Sequence, residues 1–133
     1  MKIERSAGVL LHPTSLPGKF GIGDLGPSAF HFIEFLKHSG QTLWQVFPLG
    51  PTGYGDSPYQ CFSAFAGNPL LISPEILIDE KLLLEEDLGN IPHYDPHKID
   101  FGNVINYKSE LLKKAYEHFR KKKENYLKEY NEF

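Results

Sequence analysis

Asp56, Ser57 and Tyr59 lie close together on the stretch Gly50-Pro51-Thr52-Gly53-Tyr54-Gly55-Asp56-Ser57-Pro58-Tyr59, which continues through Phe62-Ser63-Ala64-Phe65-Ala66-Gly67-Asn68-Pro69. A backbone this rich in Gly and Pro is shaped, because Gly permits positive φ while Pro fixes φ. Tyr54, Tyr59, Phe62 and Phe65 supply aromatic faces, and Asp56, Ser57, Ser63 and Asn68 supply short hydrogen-bonding groups. That combination suits a ligand with apolar faces and a rim of hydroxyls, as a sugar has. The competing reading is a packed loop whose aromatics fill the core.

Other groups invite chemistry and support it less. His12 and Ser15 in His12-Pro13-Thr14-Ser15-Leu16-Pro17-Gly18 raise a nucleophile–base pair, but proline-rich turn chemistry accounts for them better. Gly21-Ile22-Gly23-Asp24-Leu25-Gly26 matches G-x-G-x-x-G. A dinucleotide fingerprint would need a tight turn after the preceding strand and an acidic residue about twenty positions on, where Gln45 and Val46 stand. Gly50–Ser57 lacks the Lys-Ser/Thr pair of a phosphate loop. His93 and His97 have the i, i+4 spacing of helical metal ligands, yet Pro96 argues against a helix there. No metal or other cofactor is expected.

The elements that must carry the loop follow from pattern. Ala7–Leu11 is a short apolar run, expected as a strand covered on both faces. Pro27 and Ser28 open a helix whose apolar stripe is Leu25, Ala29, Phe32, Ile33 and Leu36, and Gly40 stands at its C-cap. Thr42–Phe47 is a second strand, β-branched and aromatic. Strand, helix and strand predict a right-handed βαβ unit with parallel strands. The loop at 50–69 then leaves the C-terminal end of the second strand, where α/β folds place ligands. Leu70-Leu71-Ile72 is a short buried piece, Glu75–Leu88 one or two short helices, and 89–103 a connecting segment. A helix is expected from about Val104 to Tyr130, with Leu111, Ala115 and Phe119 on one face.

Composition divides the chain near residue 75. Before it fall 10 of the 12 glycines, 8 of the 10 prolines and only 8 charged residues; after it come 23 charged residues in 59 positions. We therefore take residues 1–74 and 75–133 as the two organisational units. At 133 residues the chain is well short of the ~250 of a closed (β/α)₈ barrel. A net charge of −3 gives no electrostatic case for nucleic acid or an anionic membrane as partner. Lys121-Lys122-Lys123, flanked by Glu117 and Glu124, reads as a solvated face. The lone Cys61 excludes an intrachain disulfide and fits a reducing compartment. Ala7–Leu11 is too brief for a secretory segment and no run could span a bilayer, so a cytoplasmic protein is expected.

The segments Gly8–Gly18, Gly21–Gly26, Trp44-Gln45 and Pro48–Pro69 closely resemble the amino-terminal quarter of the amylomaltase family, the 4-α-glucanotransferases or disproportionating enzymes. The resemblance is dense over residues 5–73 and looser to about 119, where Ile99-Asp100-Phe101 and Tyr107-Lys108 still fit. It implies the amino-terminal part of a (β/α)₈ TIM barrel: two parallel strands and their helix, followed by the start of a helical insertion subdomain. The implied reaction is transfer of α-1,4-glucan segments between maltooligosaccharides, with retention and without a cofactor. Retention needs a carboxylate nucleophile and a carboxylic acid about 5–5.5 Å apart. The resemblance places those on later strands, so no catalytic residue is expected in this chain, and Asp24 and Asp56 do not fill the role. Implied here are donor-side substrate contacts at Ser57 and Tyr59 and a secondary glucan-binding aromatic at Tyr54. Its companion position is Phe101, where the family has tyrosine; the stacking face is kept and the hydroxyl lost. The implied partners are a maltooligosaccharide or α-glucan and the remainder of the barrel. The alternative is a free-standing carbohydrate-binding or interaction module without catalysis, which the unpaired strand edges disfavour.

Overall fold

A computed structural model describes residues 5–63 and 65–122 together with 126 and 131, and of Tyr54 the backbone alone. Strand β1 (Gly8–Leu10) and strand β2 (Leu43–Gln45) pair in parallel, with Gly8 opposite Leu43, Val9 opposite Trp44 and Leu10 opposite Gln45. Helix α1 (Pro27–His38) makes the crossover that a parallel pair requires. The expected strand, helix and strand are therefore present, with strands shorter than their apolar runs.

Helix α1 begins and ends for local reasons. Pro27 occupies its first turn, where the missing N–H is not needed. At the other end Gly40 adopts φ +69. Its N–H donates to the Lys37 carbonyl at 3.1 Å, and the Gln41 N–H to the Leu36 carbonyl at 2.9 Å. Those two bonds form a Schellman cap, which only a residue tolerant of positive φ can make. Phe32 then packs edge-on against Trp44, ring centroids 5.0 Å apart, and the Trp44 indole donates to the Leu11 carbonyl at 2.7 Å. Helix and both strands are joined through that one indole.

The expected double covering of the strands is not what the structure contains. Leu10 is 52% and Leu43 54% exposed, and of the expected helical stripe Ala29 and Leu36 are buried while Leu25, just before α1, and Ile33 are exposed. The physical reason is direct: among the described residues no second layer lies across those side chains.

The main core lies elsewhere and draws on both sides of residue 75. Helix α3 (Phe101–Lys122) buries Val104, Lys108, Leu111 and Ala115, spaced four, three and four as one helical face. Asp100 caps it, its carboxylate accepting from the Asn103 backbone N–H at 3.1 Å. Leu111 and Ala115 join Phe20, Leu83 and Leu88 in one cluster, while Val104 joins Ile22 and Leu70 in another. Helix α2 (Pro74–Asp79) and a 3₁₀ turn at Glu85–Leu88 lie between, matching the short helices expected there. Tyr107 donates to the Leu88 carbonyl at 2.8 Å and holds that segment against α3. The expected helix starts three residues before Val104; residues 127–130 lie outside the described ones. Leu70 and Leu71 are buried as expected, but Ile72 is exposed.

Candidate saccharide-binding site

The loop after β2 is closed at both ends by its own backbone. The Asn68 N–H donates to the Leu49 carbonyl at 3.0 Å, so entry and exit meet. Inside it, Thr52 and Cys61 form an antiparallel bridge, and the Gly53 N–H donates to the Gln60 carbonyl at 3.2 Å. The turn between them uses positive φ at Gly55 (+79) and Asp56 (+53), a region that Asp visits more readily than most residues. Cys61 donates through Sγ to the Pro58 carbonyl at 2.9 Å, and the Gln60 N–H to the Ser57 carbonyl at 3.0 Å. Ser57 is extended (φ −75, ψ 126), as a residue before proline should be. Its Oγ lies 3.4 Å from the Tyr59 N–H as acceptor.

This framework leaves the aromatics outward. Tyr59 is 72% and Phe62 81% exposed, and Phe65 is fully so. Among the described residues these three side chains take no part in either core cluster. Tyr59 is not unsupported, however. Its ring stands 5.3 Å from that of Phe47, tilted by 51°, and Phe47 is stacked on His12 at 6.0 Å and 20°. His12 and Phe47 each lie two residues past the end of a parallel strand, so the pairing register brings them side by side at the C-terminal edge of the sheet. Sequence reasoning weighed His12 only as a base beside Ser15 and passed over Phe47. The available signal was the residue-for-residue equivalence of Leu10-Leu11-His12 and Gln45-Val46-Phe47.

His12 is buried and engaged at both ring nitrogens. The Thr14 backbone N–H, which can only donate, points at Nδ1 at 3.3 Å, and the Thr14 hydroxyl lies 2.7 Å from the same atom. Nδ1 is therefore the acceptor and Nε2 carries the proton, directed at the Pro48 carbonyl 3.4 Å away. Burial lowers the His12 pKa, with the Pro48 carbonyl opposing the shift. The hydrogen bonds leave no free lone pair for a general base, and Ser15 is exposed, so the nucleophile–base pair is absent.

Asp24 is committed as well. One carboxylate oxygen accepts from the Gly26 N–H at 3.1 Å and the other from Lys108 Nζ at 2.9 Å. Lys108, fully buried, also donates to the Leu70 carbonyl at 2.8 Å. The G-x-G-x-x-G stretch thus serves to dock α3. Its first glycine, Gly21, adopts φ +78 and lies so close to the Tyr94 ring that a Cβ would come within 2.4 Å of it.

A separate cleft of about 830 Å³ is lined by Phe101, Tyr94, Ile99 and Asn103, and the loop reaches it through Asp56. Phe101 is half-buried against the cluster of Ile22, Leu70 and Val104. The Tyr54 side chain lies outside the described residues, so its pairing with Phe101 is not placed. His93 and His97 are both exposed. Among the described residues no helix is long and apolar enough to cross a membrane.

A parallel strand pair feeding an aromatic-bearing loop at its C-terminal edge is the arrangement in which α/β proteins place ligand sites. The chain belongs to the 4-alpha-glucanotransferase family of glycoside hydrolase 77, whose model matches residues 11–133. It is 51% identical over 117 residues to the 4-alpha-glucanotransferase of Synechocystis, covering 88% of this chain and 23% of that protein. Against the Thermus thermophilus 4-alpha-glucanotransferase it is 49% identical over 122 residues, 92% of this chain and 24% of the relative. In structure it resembles amylomaltase from Streptococcus agalactiae in complex with acarbose. The TM-score is 0.83 at 41% identity, covering 89% of this chain and 24% of that one. The chain thus spans about a quarter of the length of these relatives.

Proposed function

We propose that this chain supplies donor-side glucan contacts to a 4-alpha-glucanotransferase that transfers α-1,4-glucan segments between maltooligosaccharides with retention. The observation that carries the reading is Tyr59, an exposed ring braced on Phe47 at the C-terminal edge of the sheet. A ring so held can meet the apolar face of a sugar while its phenol oxygen hydrogen-bonds a hydroxyl. Ser57, two residues earlier in extended backbone, adds a second short polar group to the same stiff turn. The neighbour's complex with acarbose supports a glucan-like ligand for the family.

In this reading β1 and β2 are the first two strands of a (β/α)₈ barrel, and residues 75–133 begin a helical insertion. The exposed Leu10 and Leu43 support further barrel elements as partners. The nucleophile and the acid that a retaining transfer needs come from those elements. Asp24 is held by Lys108 and is not available for either role. Tyr54 and Phe101 form a secondary glucan contact, Phe101 lining one cleft with Asp56, which follows Tyr54 on the loop. One cysteine in 133 residues fits a reducing, cytoplasmic setting.

The test replaces the matching segment of the Thermus thermophilus relative with this chain and follows maltotriose disproportionation. The chimera should be active, and Ser57→Ala and Tyr59→Ala should each depress activity without loss of fold. Activity unaffected by both substitutions would refute the donor-contact role.

A further inference from the structure

We infer that His12 is a positioning residue for Tyr59, acting through Phe47; the inference rests on the donor-contact reading of Tyr59. The three rings form a continuous series, His12 to Phe47 at 6.0 Å and Phe47 to Tyr59 at 5.3 Å. They come from three chain segments: the loop after β1, the end of the β2 run, and the glycine-rich loop. Within the series the degree of anchoring falls outward. His12 is buried and bonded at both edges, to Thr14 through Nδ1 and to the Pro48 carbonyl through Nε2–H. Phe47 is half-buried and adjoins Pro48, so the bond to Pro48 and the stack on Phe47 fix the same piece of backbone. Tyr59, mostly exposed, has Phe47 as its aromatic support.

An exposed aromatic ring ordinarily samples several rotamers and must lose that freedom when it meets a ligand. A ring already leaned on a fixed neighbour loses less, and the contact is in place before the substrate arrives. His12 suits the fixed end because a histidine can both stack and bond at its two edges. Phenylalanine would keep only the face, and asparagine only the cap to Thr14. His12 touches no substrate in this scheme and exchanges no proton with it.

The test is run in the chimera described above, because the strands of the 133-residue chain leave apolar faces open. His12→Asn, His12→Phe, Phe47→Leu, Tyr59→Ala and the double variant His12→Asn/Tyr59→Ala are compared for kcat and KM on maltotriose. The Tyr59 ring is followed by fluorine NMR after fluorotyrosine incorporation. His12→Asn should lower kcat about tenfold while KM moves little, as expected of a displaced contact. His12→Phe should recover part of the loss. In the double variant the His12 substitution should add nothing to Tyr59→Ala, and the Tyr59 resonance should shift and narrow in His12→Asn and Phe47→Leu. An additive double variant, or an unmoved resonance, overturns the inference. Wild-type kcat in Tyr59→Ala alone would instead refute the donor-contact reading, and the resonance would still decide whether His12 positions the ring. Should His12→Asn fold poorly, Phe47→Leu, which keeps apolar volume, gives the same two readouts.

Discussion

Lys108 Nζ lies 2.9 Å from Oδ2 of Asp24, both side chains out of water and 84 residues apart in the chain. The pair sits in the middle of the apolar face of α3, between Val104 and Leu111, where a lysine is otherwise unfavourable. Removing one partner leaves the other charge buried and alone, which typically costs ~3–5 kcal/mol. Asp24→Asn and Lys108→Met should each destabilise the chimera by an amount on that order. The double variant should lose less than the two combined. Urea unfolding of the four proteins checks this, and full additivity would show that the two do not depend on each other. Burial pushes the Lys108 pKa down against Asp24 and Glu75. Between the lowered value and the ordinary one the unfolded chain holds more protons, so the lysine's contribution to stability rises with pH across that window.

His12 gives the opposite end of the pH range. Its folded pKa lies below 6.5 because burial disfavours the imidazolium. Below 6.5 the unfolded chain therefore binds the proton more readily, and stability falls as pH drops from 6.5 through the folded value. Protonation also removes the Nδ1 acceptor on which Thr14 depends. The melting temperature should decline over that acid window, and His12→Asn should flatten the decline. An unchanged pH profile in the variant would assign the acid sensitivity to other groups.

Tyr59→Ala should lower kcat of the chimera more than tenfold, equivalent to roughly 1.4 kcal/mol or more of lost transition-state stabilisation. Tyr59→Phe, which keeps the ring on Phe47, should lose less. Because Tyr59 is exposed, neither change should move the melting temperature by more than a degree or two. A lowered melting point with normal kcat would make Tyr59 a packing residue.

The 133-residue chain alone should produce neither glucose nor longer oligosaccharides from maltotriose. Among the described residues the one buried carboxylate, Asp24, is spent on Lys108, and no carboxylate adjoins Tyr59 among the bonds that hold the loop. Thin-layer chromatography of the products is sufficient to check it. Turnover by the purified chain would mean that it houses its own acid and nucleophile.

Gly21→Ala and Gly40→Ala place the same methyl at similar positive φ, +78 and +69. At Gly40 nothing stands within 4 Å, so the change should cost about 1–2 kcal/mol for the backbone alone. At Gly21 the methyl also overlaps the Tyr94 ring, which packs with Ile22, Leu70 and Val104. Gly21→Ala should therefore be clearly the more destabilising of the two in thermal melts. Equal effects would mean that Tyr94 moves aside freely.

What could be read from sequence was whatever is decided locally. Pro27 and Gly40 bracket α1 because helix ends are fixed by proline in the first turn and by positive φ after the last. The glycine- and proline-rich loop likewise announced a shaped turn, while leaving open whether its aromatics face outward or inward. What escaped was set by pairing between distant segments. Phe47 meets His12 only because β1 and β2 align Leu10 with Gln45, and Asp24 meets Lys108 only because α3 returns across the first loop. No spacing rule connects positions 84 apart. Leu25 and Ile33 fit a helical stripe perfectly well and are exposed, since periodicity names a face without saying what lies against it.

The tie between the first loop and α3 has a consequence in time. Phe20, Ile22 and Asp24 leave the ribosome some eighty residues before Leu111, Val104 and Lys108, their partners, exist. At ordinary synthesis rates that delay is on the order of ten seconds, far longer than a helix or a turn needs to form. The nascent chain must therefore carry an unfinished loop, with an aromatic, an aliphatic and a carboxylate all waiting together. Synthesis of this stretch is a period of exposure that ends only when α3 arrives.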